Sequence, residues 1–433
     1  MITELLIFGL ALIISARFLR RKSKHFPPGP WGFPVIGHLP LLGQSPHKTL
    51  LKWTRTYGPV IGVQFGSYRT VVINDAKLIK EALNNNAFSG RPPLKPLLAR
   101  SDGVAKGILF TEGHIWHDQR RFTLKNLRDF GFGKNSMEAK IQDEIIELMD
   151  RFKDSVGKPL QIRNAFNAAV LNALWSIMLG ERMKQDDPEL ADAVRRLTST
   201  IDENNFNASL STFMPWLADI APKLSGFESQ MKEVVPLLAF ISGQIEKHNL
   251  TRVDGQPRDY IDMYAEEEQK QLALLCRGHE RLPTLSDRPF MKYTEAVLNE
   301  VMRFSSMFPL SLFHSATEDV EFHGYHIPKD TIIMPNLYCA HFGERVWGDP
   351  QNFRPERFLD VNGNIKKFDS FIPFSTGKRV CLGESLARDE LFLFSTHLFQ
   401  KFNVMPNNTL PNLEPSVGVV LIPRPFEVLL KLR

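Results

Sequence analysis

This sequence predicts a mainly α fold with small β-sheets, and three observations carry the expectation. Apolar positions recur at helical spacing over long stretches, including Leu386, Leu391 and Phe394 within LGESLARDELFLFSTHLF. Five short runs rich in β-branched and aromatic residues are bounded by turn residues, the pattern of strands. Proline clusters such as Pro92, Pro93 and Pro96 interrupt residues 88–106, so that segment is expected to be a loop with at most short helices.

Taken in order, residues 60–65 and 70–73 read as strands around a turn at 66–69. Ser136 is placed to cap a helix whose Ile141, Ile145, Met149 and Phe152 share one side. Residues 164–179 are apolar nearly all round and are expected to be buried. Phe206, Phe213, Met214, Trp216 and Phe227 crowd residues 198–233, where aromatics serve either as core or as the roof of a pocket. A helix follows over 292–304, with Glu300 and Arg303 three apart and able to pair on one face. Residues 320–322, 325–327 and 331–334 read as strands that join the small sheet begun at residue 60.

With 433 residues the chain exceeds one ordinary core, so one large domain or two are possible. Hydrophobic residues make up 43% and charged residues 23%, a globular balance, with 32 Phe as the excess. Phenylalanine-rich interiors suit apolar ligands and plain cores alike. The net charge of +5 is mild and spread along the chain, which argues against nucleic acid and leaves membrane lipid or an acidic protein as partner. Cys276, Cys339 and Cys381 are too few and too far apart for a disulfide framework, which suits a cytosol-facing body.

The first sixteen residues are apolar apart from Thr3, Glu4 and Ser15, and the basic run Arg17, Arg20, Arg21, Lys22 and Lys24 follows. A cleaved signal carries its charge ahead of its apolar run, whereas charge behind it is the order of an uncleaved anchor. The expected division is an anchor helix over 1–19, a basic hinge over 20–30 in which Pro27, Pro28 and Pro30 forbid helix, and a body over 31–433 facing the cytosol.

The stretch FSTGKRVCLG, residues 374–383, sets one cysteine between two glycines and beside an arginine. A loop that opens with Phe374 and turns at Gly377 can lie flat against a planar cofactor, because glycine permits close backbone approach. Cys381 stands just ahead of a helix, whose N-terminal N–H groups favour a thiolate, the state of a metal ligand. Arg379 can bond a carboxylate at a cofactor rim. One thiolate with a flat cofactor suggests haem, since zinc would want four ligands and a Cys-x-x-Cys pair that the chain lacks. Taken alone, a cysteine such as Cys381 is more often an ordinary buried one, and it is the full ten-residue pattern that reverses this.

The full pattern F-x-x-G-x-R-x-C-x-G resembles the haem-binding signature of the cytochrome P-450 monooxygenases, and LPTLSDRPFMKYTEAVLNEVMR resembles the microsomal family-2 group of animals in particular. The proline-rich hinge is similar to that of microsomal members. The resemblance implies the mostly helical P-450 fold for a haem-thiolate catalytic domain over 31–433. It makes Cys381 the proximal ligand of haem b (iron protoporphyrin IX), in the loop shaped by Phe374, Gly377 and Gly383. Trp116 and Arg120, four apart on one helix face, would meet a haem propionate, as would Arg91, His314 and Arg379. Glu300, Arg303 and Arg357 in FRPERF match the family's E-x-x-R network, which locks the cysteine loop against the fold. Phe206, Leu310, Leu312, Phe313 and Val417 to Val420 would border the substrate space. NADPH electrons would arrive through an acidic flavoprotein reductase, with cytochrome b5 as a further partner, at a basic face of Arg121, Lys125 and Arg128 that could also be simply solvated. The setting implied is the endoplasmic reticulum membrane, and the substrate an apolar small molecule: a fatty acid, a steroid or a foreign compound.

One departure stands out. After Asp259-Tyr260-Ile261-Asp262 the family continues into a long helix over the distal face of the haem, carrying A-G-x-[DE]-T. This chain runs from YAEEEQKQLALLCRG straight to HERLPTLSDRP, and no Ala-Gly-x-acid-Thr occurs in it. A helix crossing the cofactor needs about 45 Å, or about 30 residues at 1.5 Å each. The distal helix is therefore expected to be missing around 265–282, with proton delivery to oxygen in question.

Overall fold

A computed structural model describes residues 25–432 except 102, 130–134, 164, 179–182, 186, 202–209, 251–282 and 408–410. Among the described residues the long helices are Pro46–Tyr57, Ala76–Asn84, Gly113–Asp129, Asn135–Lys153, Asn167–Met178, Pro188–Ile201, Phe227–Leu250, Lys292–Ser305 and Glu384–Lys401. The strands form one four-stranded, one three-stranded and two two-stranded sheets. The expected mainly α architecture with small sheets is what this amounts to.

The larger core lies between Asn135–Lys153 and Glu384–Lys401. The apolar stripe Ile141, Ile145, Met149 and Phe152 is buried there against Phe392, Leu393 and Leu398. Ser136 falls within the first turn of its helix instead of capping it, because the helix begins at Asn135. Asn167–Met178 buries Ala169 and Ala173, yet Val170 is 37% exposed, so this helix is covered on part of its surface only. The segment after Phe88 is a loop broken by a four-residue helix at Lys95–Leu98 and a 3-10 turn at Ala99–Ser101, as its prolines dictate.

A second core surrounds the four-stranded sheet. Val60–Phe65 and Tyr68–Ile73 form the expected hairpin, but the turn is shorter than the composition suggests. Tyr68 pairs with Phe65 and Arg69 with Gln64, leaving Gly66 and Ser67 as the loop, with Gly66 at φ 52°. Ile332–Pro335 runs parallel to the second strand and His314–Ser315 pairs on its far side. Val320–Phe322 and Tyr325–Ile327 do not join this sheet, contrary to expectation. His323 and Gly324 both have positive φ and reverse the chain so tightly that the two strands pair with each other.

Residues 1–24 and 251–282, on which the anchor and the interrupted distal region fall, lie outside the described residues. Among the described residues no helix is long and apolar enough to cross a membrane.

Glu300 joins these parts. Its Oε2 accepts from Arg303 Nε at 2.8 Å, and its Oε1 accepts from Arg303 Nη2 at 2.9 Å, Arg357 Nε at 3.1 Å and the Arg354 N–H at 2.8 Å. Arg303, fully buried, also donates to the His341 and Pro350 carbonyls and lies against Phe342 and Trp347. Arg357 donates to the Trp347 and Asn352 carbonyls. One carboxylate thus pins the helix Lys292–Ser305 to the meander 347–358, and Trp347 continues the contact into Phe358 and Phe368. On the other side Arg388 donates to Asn299 Oδ1 at 3.1 Å and lies over Phe371 and Phe374, tying the same helix to the start of the cysteine loop.

Two stability predictions follow from burial. Glu300→Gln removes the charge shared by two buried guanidiniums and is expected to lose about 3 kcal/mol or more in urea unfolding; a variant as stable as the parent contradicts the network's role. Glu390, on the cysteine-loop helix, is buried with Oε1 lacking a hydrogen-bond partner, and burial, then Asp389, push its pKa up to about 8. A carboxyl raised above its unfolded value of 4.5 contributes stability below that pH that is lost as pH rises through about 8. Glu390→Gln is expected to raise Tm by about 2 °C or more at pH 8 and to change it little at pH 5. The buried His47 and His341, held down to about 4 and about 3 chiefly by burial, oppose this only below pH 6.5 and do so in both proteins. An equal shift at both pH values would contradict the assignment.

Candidate functional site

Cys381 sits where the loop turns into the helix Glu384–Lys401, whose N-cap is Gly383. Ser375 and Gly377 have φ of 66° and 74°, a 3-10 turn runs from Gly377 to Arg379, and the Cys381 N–H donates to the Phe374 carbonyl at 3.0 Å. Gly377 serves a different neighbour from the one its composition suggests. An added Cβ would collide with the Leu83 carbonyl, so this glycine lets the loop press on the end of Ala76–Asn84. At Gly383 an added Cβ would meet only Cys381 Sγ, at 3.9 Å, so packing alone does not require glycine there. Cys381 itself is exposed.

Cations gather behind this loop. Arg379 Cζ lies 3.9 Å from the centroid of the buried Trp116 ring and Arg120 Cζ 5.8 Å from the same ring. Arg120 donates to the Val380 carbonyl at 2.8 Å, one residue before Cys381. Arg379 donates to the carbonyls of Ser89 and Thr111, and Arg91 to those of Leu109, Leu312 and Phe313. These acceptors are neutral. The carboxylate in reach is Glu112, which accepts the Arg91 backbone N–H at 2.7 Å.

The charge imbalance shows in the titration of the cluster. Burial and then the Arg379 charge push Arg91 down to about 9, with Glu112 acting against them. Burial pushes Arg379 down to about 10, again opposed by Glu112. Burial lowers Arg120 also, and its proximity to Cys381 acts the other way. His314 is held down to about 3 by burial and then by Arg91. Its Nδ1 lies 2.9 Å from the Phe88 carbonyl, which can only accept, so Nδ1 carries the proton of a neutral ring.

A haem offers two carboxylates and an iron that takes a sulfur ligand. The residues present fit it: three buried or half-buried guanidiniums donate to neutral carbonyls, with Glu112 acting on Arg91 and Arg379 among the described residues, and Cys381 is exposed. Among the described residues no cluster of His, Cys, Asp and Glu suits a bare metal ion.

Next to this cluster lies a cavity of about 150 Å³ lined by Leu94, Phe110, Leu310, Leu312, Phe313, Val417, Gly418 and Val419 with Arg91 at its wall. Leu310, Phe313 and Val417 therefore meet in one place; Val420 is buried outside the lining, and Phe206 lies outside the described residues. Phe213 packs on both Phe65 and Phe313, joining the sheet to the cavity wall. Reasoning from sequence missed Glu112, Arg388 and the cavity-lining Arg100. The spacing of Glu384 and Arg388, an ion pair at 2.9 Å, was a legible signal; the other two are defined only by tertiary contact.

Comparison with known proteins agrees with this geometry. The family model of cytochrome P450 matches residues 27–275 and 273–430. Farnesoate epoxidase of Bombyx mori is 32% identical over 99% of this chain and 98% of its own length. Cytochrome P450 2J2 of Homo sapiens is 32% identical, covering 97% of this chain and 94% of its own, and cytochrome P450 18a1 of Drosophila melanogaster is 31% identical, covering 98% and 90%. With a cysteine loop, a guanidinium cluster and an apolar cavity assembled as described, and relatives matched along nearly its whole length, the chain belongs to the cytochrome P450 family of haem monooxygenases.

Proposed function

We propose that this protein is a membrane-anchored haem-thiolate monooxygenase that inserts one atom of O2 into an apolar small molecule such as a fatty acid, a steroid or a foreign compound. The observation that carries the proposal is the double position of Arg91. It belongs both to the cation cluster behind Cys381 and to the wall of the apolar cavity, so cofactor and substrate spaces adjoin.

Cys381 would ligate the iron through Sγ, with Phe374, Gly377 and Gly383 shaping its loop. Arg91, Arg120 and Arg379 would hold the two propionates, with Trp116 stacked beneath two of these guanidiniums. Bound there, haem supplies the activation of dioxygen. His314, a neutral ring whose Nδ1 proton is held by the Phe88 carbonyl, would stand beside this group. Leu310, Phe313 and Val417 would exclude water from the substrate. Glu300, Arg303 and Arg357 would keep the loop in register with them.

Electrons would come from NADPH through a flavoprotein reductase, with cytochrome b5 as a second donor, at the face that carries the exposed Arg121. The anchor over 1–19 would place the protein on the endoplasmic reticulum. Exposed Trp31, Phe33 and Val35 support lipid contact, as do Ile220 and Leu224. The bridge from Gly37 to Phe65 and the Ser67 N–H bond to the Phe213 carbonyl bring both segments to one end of the first hairpin.

A second reading is favoured by the sequence around 265–282: a relative that binds haem without activating oxygen. The absence of A-G-x-[DE]-T supports it, as do the break of the family match at 273–275 and an alignment to farnesoate epoxidase of 487 residues against a chain of 433. If haem is not retained at all, a membrane-bound interaction protein is what remains.

The reduced, carbon monoxide-bound spectrum of the full-length protein tests these readings. A thiolate-type Soret band with NADPH- and reductase-dependent product is the expected outcome, the band with peroxide release and no product selects the second reading, and no haem band contradicts both. Cys381→Ser is expected to abolish the thiolate-type band, and its persistence would remove Cys381 as the ligand. Arg120→Gln and Arg379→Gln are each expected to weaken haem retention about tenfold or more, read as haem transfer to apomyoglobin; unchanged transfer rates would detach these residues from the cofactor.

A further inference from the structure

We infer that Arg388 is a positioning residue of the cysteine loop, one that keeps the Glu384 carboxylate from opposing the Cys381 thiolate and so raises the reduction potential of the haem iron. This rests on the reading in which Cys381 ligates that iron, and it adds a residue to it. Cys381 precedes Gly383, the N-cap of Glu384–Lys401, and Glu384 follows it, so three residues of chain, spanning at most about 11 Å, separate the two. Both are anions drawn to one helix start, where free N–H groups and the dipole favour negative charge. Side by side they oppose each other, and reduction of a thiolate-bound iron adds a further electron to the same place.

The fold answers Glu384 with Arg388. Arg388 Nε donates to Glu384 Oε1 at 2.9 Å across one helical turn. Three further contacts fix the guanidinium: Nη1 donates to Asn299 Oδ1 at 3.1 Å, and Cζ lies 5.6 Å and 5.3 Å from the ring centroids of Phe371 and Phe374. A cation held in this way keeps its charge in one place, unlike the mobile partner of an ordinary surface pair. The other two acids of the helix are compensated as well. Asp389 accepts from Arg288 Nη1 at 2.8 Å. The buried Glu390 is pushed up to about 8, chiefly by burial, and is therefore mostly protonated at neutral pH. The helix that begins beside Cys381 thus leaves none of its three acids as a bare anion, and Arg120, donating to the Val380 carbonyl, adds a cation next to the thiolate. Of the three acids Glu384 is the one in the first turn, so its partner matters most to the sulfur.

The test is the reduction potential of the haem in the full-length protein, titrated against redox dyes without reductase so that docking does not enter. Arg388→Gln bares Glu384 and is expected to shift the equilibrium about threefold or more toward ferric iron. Glu384 is 38% exposed, so solvent screens part of its field and keeps the shift modest. Glu384→Gln bares Arg388 and should shift the equilibrium the other way, and the two substitutions together should return it near the parent, as should Arg388→Lys alone. No shift in either glutamine variant, shifts of the same sign, or a fall that persists when both residues are changed would each overturn the inference, the last by assigning the effect to the packing of Phe374. Haem lost from Arg388→Gln and regained on adding Glu384→Gln upholds it; haem lost from both overturns it. The carbon monoxide spectrum of the parent separates the two proposals. No thiolate-type band sinks both, whereas a band with unmoved potentials sinks this inference alone.

Discussion

Glu300 is the constraint on which the proximal half of the molecule depends. A carboxylate with no solvent exposure is tolerable only when its oxygens are bonded, and here two arginines and one backbone N–H supply four bonds. Neither arginine can leave without stranding a buried charge. The arginines in turn donate to the carbonyls of Trp347, Pro350 and Asn352 in the irregular segment 347–358. Rigidity therefore passes from the helix Lys292–Ser305 into a loop region, and through Arg388 and the aromatic cluster of Phe358, Phe368 and Phe371 to Phe374. The cysteine loop inherits its position from this chain of contacts.

On the other side of that loop the electrostatics run in the opposite sense. Around Glu300 two carboxylates, Glu300 and Asp349, meet the buried guanidiniums of Arg303 and Arg357; around Trp116 there is no such match among the described residues. Arg91, Arg120 and Arg379 donate to neutral carbonyls, Glu112 acts on Arg91 and Arg379 alone among the described residues, and burial pushes all three down. Balanced charge suits a structural lock, and unbalanced charge suits a site completed by an anion. The two arginine clusters differ in this respect.

Much of this was legible in the sequence, because it rested on local spacing. Trp116 and Arg120 at four residues share a helix face, Glu300 and Arg303 at three residues pair, and the glycine at 383 ends where a helix begins; the structure shows each of these. The Arg357 contact needed the family resemblance, since nothing local joins it to Glu300. Errors came where tertiary pairing overrode local pattern. Residues 320–327 had strand composition, but the positive φ at His323 and Gly324 turned them onto each other. Gly377 is glycine because of Leu83, a neighbour nearly three hundred residues earlier in the chain. Glu112 and Arg100 were missed for the same reason: their significance is the company they keep in space. The anchor and the interrupted distal region fall on residues outside those described.

If the guanidinium cluster beside Cys381 holds the acid groups of a planar cofactor, those groups must contribute to its binding. Titration of the haem-stripped full-length protein with protohaem and with protohaem dimethyl ester, which has the same iron and ring but no carboxylates, tests it most directly. Protohaem binding at least about a hundredfold tighter is the predicted result, given two charge-assisted contacts. Equal affinity for the two would contradict the account and leave Arg91, Arg120 and Arg379 without the role assigned to them.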